Sequence, residues 1–296
     1  MTTAEQRTSG ILWMLATMVC FITLDTIMKY NLETYSLLQV TWARFFFATV
    51  AAIAVCGRDL PRLAVSHAPK IQSLRSVLLM ATTGLFNAGI ISVPLATGTT
   101  IMFMSPILVT LLSIVILKEH VGIRRWTGII LGFAGALIVM QVWKTGVNGL
   151  NHGTLFLLAA ALTNATYQIT TRQLRLDHPL TSLLFTAAAG AIFTSLFLPW
   201  HWTSPTAMGW VLLVASGVAG CAGHLCLIRA FQAAPASVVA PFSYSSLVWA
   251  TVLGFVIWHD VPQWTTWLGA ALIIGSGLYI FLRERQITAR ALEPII

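Results

Sequence analysis

The chain has 296 residues, 57% of them hydrophobic and only 9% charged, and carries a net charge of +8. Soluble domains carry about 25% charged residues, so this composition excludes an ordinary water-soluble globule and points to a lipid-embedded helical protein. The positive balance does not imply nucleic acid, because no basic run with interleaved aromatics stands outside the apolar stretches.

A helix needs about 20 apolar residues to cross the hydrocarbon, and it satisfies its own backbone as it does so. Ten segments meet that demand: 10–30, 36–56, 75–94, 99–117, 124–143, 152–172, 179–199, 206–229, 236–258 and 263–282. The apolar run of the first goes straight from Ile11 to Leu24 with no small-residue cleavage site, so it is read as a retained span. The longest polar insert is 57–74, and the short connections force antiparallel neighbours. The four cysteines, Cys20, Cys56, Cys221 and Cys226, lie in or beside apolar segments and form no disulfide framework.

The basic residues test this count. With the N-terminus in the cytoplasm, fourteen Lys and Arg fall on the cytoplasmic side, only Lys29 and Lys144 fall outside, and Arg44 lies within a span. Cytoplasmic loops carry such an excess, so ten spans with both termini inside are expected. Tryptophans gather at the outer interface (Trp42, Trp143, Trp200, Trp202, Trp210, Trp258, Trp264, Trp267), and Trp249 stands near mid-depth.

The frame "LKEHVGIRRWTG" (Leu117 to Gly128) returns as "WHDVPQWTTWLG" (Trp258 to Gly269) without its basic residues. At an offset of 141, Pro94 meets Pro235, Ser105 meets Ser246, Glu119 meets Asp260, Trp126 meets Trp267 and Gly128 meets Gly269. At 143, Gly10 meets Gly153 and Lys29 meets Arg172. Residues 1–147 and 148–296 are therefore expected to be one five-helix unit written twice. Five is odd, so the second copy enters the membrane inverted, and its frame loses the cations where they would lie outside. Inverted repeats suit carriers, because similar halves can exchange conformations around a shared site.

The chain resembles the drug/metabolite transporter superfamily in its ten-helix EamA-type branch of exporters, over residues 10–285. The resemblance rests on the paired stretches Pro94 to Val139 and Ala234 to Leu278, with Lys29 and Arg44 in the first two spans. Within that branch it is most similar to bacterial aromatic amino-acid exporters. This implies a multi-pass protein of the bacterial inner membrane, working as a single chain on small-molecule substrates and needing no cofactor or metal. No G-x-S-x-G or H-E-x-x-H motif suggests an enzyme.

Polar groups inside the spans are the candidates for function. Asp25 and Lys29 share a helix face, and Arg44 lies at a depth where it could reach Asp25, so the three form a structural ion pair or a gate. Candidate cavity residues are Thr83 and Asn87 in the third span, Ser105 in the fourth, and Asn164, Tyr167 and Gln168 in the sixth. His224 in the eighth joins them, as do Ser243, Tyr244, Ser246 and Trp249 in the ninth. Each has a plainer alternative in helix packing, and for Trp249 that alternative is lipid contact. Pro106 and Pro241 would kink their helices. A mostly apolar cavity with hydroxyls, amides and few charges suits an amino acid with an aromatic or aliphatic side chain. It suits a nucleotide sugar poorly, because phosphates call for several cations and only Arg44 lies deep enough. No acid stands at mid-depth, so facilitated export by alternating access is expected over tight proton coupling. Export of another small metabolite or drug is the alternative.

Overall fold

Helices begin where the sequence supplies an acceptor for the loose N–H groups of a first turn, or a proline that lacks one. Ser36 Oγ accepts from Gln39 N at 3.2 Å, Asn151 Oδ1 from Gly153 N at 2.9 Å and Thr206 Oγ1 from Gly209 N at 3.0 Å. Pro69 and Pro179 each head a helix. The computed structural model describes residues 4–116, 123–140, 151–174, 177–234 and 239–291. Half of the first repeat frame (Leu117–Gly122), together with Trp143, Lys144, Arg175 and Pro235, lies outside the described residues.

The first half contains α1 (Ala4–Asn31), α2 (Leu37–Cys56), the single turn α3 (Leu60–Leu63), α4 (Pro69–Ile90), α5 (Leu95–Met102), α6 (Ser105–Ile116) and α7 (Ile123–Met140). The second contains α8 (His152–Gln173), α9 (Pro179–Phe197), α10 (Ala207–Ala233), a 3-10 turn (Ala240–Tyr244), α11 (Ser245–Trp258) and α12 (Trp264–Ala291). The described residues include no strand. Glu5–Asn31, Leu37–Leu63, Pro179–His201 and Ala207–Ala233 are long and apolar enough to cross a bilayer.

Two segments expected to be single helices are interrupted. In 99–117 the chain turns between α5 and α6, where Phe103 N reaches back to Thr99 O at 3.2 Å and Met104 N to Ile101 O at 3.0 Å. In 236–258 a 3-10 turn precedes α11. Pro106 and Pro241 each stand beside a break, at places where a missing N–H favours tighter or discontinuous backbone. The third segment also starts earlier than 75, because Pro69 opens its helix.

Contacts between the halves occur in matched pairs. α1 packs on α10 as α8 packs on α4, α2 on α10 as α9 on α4, and α1 on α11 as α8 on α6. α7 lies against α12, α2 against α9 and α5 against α11. Glycines let two of these crossings close to backbone contact. A Cβ on Gly153 would stand 2.8 Å from Gly89 O, and one on Gly135 would stand 2.8 Å from Gly269 O. A common apolar core runs through the bundle, with Ile90, Leu95, Ile101, Ile107, Leu157 and Ile273 fully buried.

Both ends are tied across the halves. At one, Ser36 Oγ donates to His201 O at 2.9 Å and Gln39 Nε2 to Thr203 O at 2.8 Å. At the other, the carboxylate of Asp177 accepts from Ser66 Oγ, from His67 N at 2.8 Å and from the His67 ring at 3.1 Å. Burial alone would raise the affinity of Asp177 for a proton, but these bonds outweigh it and hold the carboxyl below its ordinary 3.8.

Gly153→Ala is expected to cost about 1–3 kcal/mol by overpacking against α4, seen as a lower unfolding midpoint in detergent. Gly84→Ala, with nothing within 4 Å of the added Cβ, should leave the midpoint unchanged or raised. Because the folded pKa of Asp177 lies below the unfolded one, its stabilisation is complete above the unfolded value and is lost as pH falls through the folded one. Asp177→Asn should therefore lower the midpoint at neutral pH, and the gap from the parent should close only below about pH 4. A gap that closes already near about pH 6 would contradict this assignment.

Candidate functional site

Six residues after the proline that opens α4, Arg75 lies in its second turn and is buried between α8 and α9. Its Nε donates to Thr171 Oγ1 at 2.8 Å and its Nη2 to Tyr167 OH at 2.6 Å. Its Nη1 donates to Ser182 O at 3.0 Å and Thr186 Oγ1 at 2.8 Å. The guanidinium also lies over the Tyr167 ring, 4.6 Å from its centroid. Tyr167 and Thr171 are four apart on α8, and Ser182 and Thr186 four apart on α9, so each helix offers one face to the cation. Every one of these partners is neutral. The ion pairs among the described residues are Lys29–Asp260 and His67–Asp177, so no described acid lies within 4.0 Å of Arg75. Four of its five N–H donors are used by described residues, and no described residue takes the fifth, on Nη2.

By sequence Arg75 is one of the fourteen cations counted on the cytoplasmic side, at the start of segment 75–94; its burial corrects the expectation that Arg44 alone lies inside the bundle. Arg44 is half-buried on α2, with Nη1 3.9 Å from Met28 Sδ and its guanidinium 5.8 Å from the Phe45 ring. Asp25 on α1 attracts it electrostatically without a contact inside 4.0 Å. The edge of the Phe21 ring meets the His224 ring at 5.1 Å where α10 crosses α1, and His224 feels the charges of both Arg44 and Arg75.

The other expected residues fall in several places. Asn87 is fully buried and donates to Thr41 Oγ1 at 3.2 Å, and its Oδ1 accepts nothing from any described residue. Thr83 is buried one turn earlier. Asn164 donates to Ser105 Oγ at 3.2 Å where α8 crosses α6, and Gln168 is half-buried one turn on. Tyr244 packs edge-on against Phe103 at 5.1 Å, so the two helix breaks touch. Ser246 Oγ returns to Ser243 O at 2.8 Å. Trp249 is 40% exposed on a face of α11 shared with Val252 and Val256, which puts it on the outside of the bundle and not in a cavity.

The expected tie between α1 and α2 through Asp25, Lys29 and Arg44 is also corrected. Lys29 Nζ instead reaches Asp260 Oδ2 at 3.4 Å and Val93 O at 3.4 Å. Asp260 follows His259, which ends α11 in a left-handed conformation at φ 55°. In that turn His259 N and Asp260 N bond back to Phe255 O and Gly254 O at 3.0 and 3.2 Å. A non-glycine residue there costs about 1 kcal/mol, and here it aims Asp260 at α1. The ion pair borders a pocket of about 430 Å³ between the ends of α1, α4 and α11. Glu33, Val93 and Trp258 also line it, and of the expected site residues it includes Lys29 alone.

The sequence profile of the EamA-like transporter family matches residues 8–141 and again 151–282. The chain is similar to an S-adenosylmethionine uptake transporter of Rickettsia prowazekii, at 26% identity over 94% of each chain. It is similar to a riboflavin transporter of Vibrio cholerae, at 28% over 95% of each. A pseudopaline exporter of Pseudomonas aeruginosa is 25% identical over 90% of this chain and 93% of the other. One solved crystal structure superposes with a TM-score of 0.62 at 20% identity, covering 95% of this chain and 99% of the other, a likeness of fold.

Arg75→Lys keeps the charge but loses the planar fork and its stacking on Tyr167, so it is expected to cost about 2–4 kcal/mol of stability. Tyr167→Phe removes one acceptor and should cost about 1–3 kcal/mol. Unfolding midpoints in detergent check both, and an Arg75→Lys protein as stable as the parent would show that the network does not hold the helices together.

Proposed function

The chain belongs to the EamA-like transporter family, and from that premise we propose that it moves a small zwitterion with an amino-acid head and an aromatic body, of the S-adenosylmethionine kind. It is a multi-pass protein of the bacterial inner membrane. The proposed mechanism is alternating access between two inverted five-helix repeats, 1–147 and 148–296, with ten spans and both termini in the cytoplasm. The matched contacts between the halves support that arrangement, as does the side-to-side distribution of Lys and Arg.

The observation that carries the substrate class is Arg75, a buried guanidinium held by neutral groups, with one donor that no described residue takes. A carboxylate is the natural partner for such a group in a low-dielectric interior. With Arg44 and Asp25 nearby, the described interior has two cations against one acid, so a substrate carboxylate has cations to pair with there, while the substrate's own cationic groups need a separate place. The remaining lining candidates (Thr83, Asn87, Ser105, Asn164, Tyr167, Gln168, His224, Ser243, Tyr244, Ser246) are amides, hydroxyls and rings, which suit an aromatic body with hydrogen-bonding edges. Pro106 and Pro241 supply hinges at the helix breaks. The amino-acid assignment from sequence thus keeps its head group, while the relatives named for S-adenosylmethionine favour a larger body than phenylalanine. Relatives named for uptake and for export occur together, which fits a facilitated carrier whose direction follows the gradient.

Counterflow in proteoliposomes tests this. Labelled S-adenosylmethionine outside should accumulate when unlabelled S-adenosylmethionine is inside, less so with phenylalanine inside, and not with riboflavin or a UDP-sugar. An imposed pH gradient should leave the rate unchanged. Exchange of riboflavin alone would replace the substrate, and uphill movement driven by the pH gradient would replace the facilitated mechanism.

A further inference from the structure

The pocket between the ends of α1, α4 and α11 is not explained by carboxylate recognition. Its charged groups are two acids, Glu33 and Asp260, and one base, Lys29. The Lys29 ammonium sits over the face of Trp258, 4.8 Å from the ring centroid. The indole N–H of Trp258 donates to the Glu33 carboxylate, which fixes the ring while its face stays turned to the ammonium. Asp260 Oδ2 and Val93 O complete the surroundings of the cation, each at 3.4 Å. An aromatic face flanked by a carboxylate and a carbonyl is a cation cage, and Lys29 fills it from within the chain.

The lengths decide how firmly Lys29 is held. A charge-assisted N–H···O contact is about 2.7–2.9 Å long when well formed. Both oxygen contacts of Lys29 are longer by about half an ångström, so little direct hydrogen bonding is lost when the ammonium leaves. The walls contributed by Leu32, Ile90 and Ile91 are apolar, which favours a weakly hydrated onium over a hard metal ion. The donor set agrees, since among the described residues no three His, Cys, Asp or Glu side chains group to hold a metal.

We infer that this pocket is a binding subsite for a sulfonium or quaternary ammonium group, in which Lys29 is a tethered competitor that an incoming cation displaces from Trp258 and Asp260. The inference deepens the proposed function, because it assigns a place to the charged centre of a sulfonium substrate at one end of the carrier. Displacement also removes the Lys29–Asp260 contact between α1 and the end of α11, one of the contacts that join the halves there.

Tetramethylammonium chloride tests the cage without reference to any transported substrate. Its methyl resonance can be followed by ligand-observed NMR against purified protein in detergent, with ionic strength matched by sodium chloride. A purely structural ion pair predicts that losing either partner leaves tetramethylammonium binding equally weak. The tethered-competitor arrangement predicts opposite effects. Lys29→Met should tighten binding at least about fivefold over the parent. Adding Asp260→Asn or Trp258→Leu to Lys29→Met should reverse that gain. If the methionine variant does not fold, Lys29→Gln, which keeps a donor for Val93, should give the same order. Binding by the Lys29 variants no tighter than by the parent would overturn the inference, as would double variants that keep the gain. A failed S-adenosylmethionine counterflow beside the expected tetramethylammonium order would leave the cage standing and remove the substrate assignment. The reverse pair of results would remove the cage alone.

Discussion

A charge inside a bilayer has no water to fall back on, so the rest of the chain must answer it, and that demand organises this protein. Arg75 draws hydroxyls and a carbonyl from α8 and α9 around its guanidinium, which fixes how α4 sits between them. Lys29, near the end of α1 and beside a pocket, is met in a similar way by Asp260, an aromatic face and a backbone carbonyl. In both places the solution brings residues of the two halves together. The polar network that makes the fold viable therefore lies where a carrier needs its site.

The same constraint separates rigid from movable contacts. At the glycine crossings α4–α8 and α7–α12 the backbones touch, and such packing resists sliding. The Lys29–Asp260 contact is long, partly exposed and borders a pocket. The helix breaks before α6 and α11 meet through Phe103 and Tyr244, so the discontinuous segments sit beside each other in the middle of the chain's two halves. Under the proposed alternating access, the close-packed crossings are the parts suited to stay, and the breaks and the loose ion pair the parts suited to change.

Much of this was legible in the sequence. The apolar runs, the prolines at the breaks and the duplicated frame locate helices whose terms are local, and local patterns fix them. What was not legible depends on distance or rotation. The partner of Lys29 lies 231 positions away, and no helical spacing connects them. Arg75 reads as a loop cation because it opens an apolar run, and only the hydroxyl pairs at 167/171 and 182/186 hint at an acceptor lining. Trp249 has the composition of a cavity residue, but the small and polar positions of α11, Ser246, Ala250 and Gly254, turn the opposite face inward. A facing criterion based on small residues along the helix would have placed it correctly.

In the proposed mechanism the halves exchange between two arrangements, with the Lys29–Asp260 end closed in one of them. Spin labels on Ile91 and Val261, exposed at that end on opposite halves, would report it once the four native cysteines are replaced. Double electron–electron resonance in lipid nanodiscs should show two distance populations. Asp260→Asn should enrich the longer one, and saturating S-adenosylmethionine should shift the ratio. A single distance distribution that neither the substitution nor the substrate moves would contradict the account.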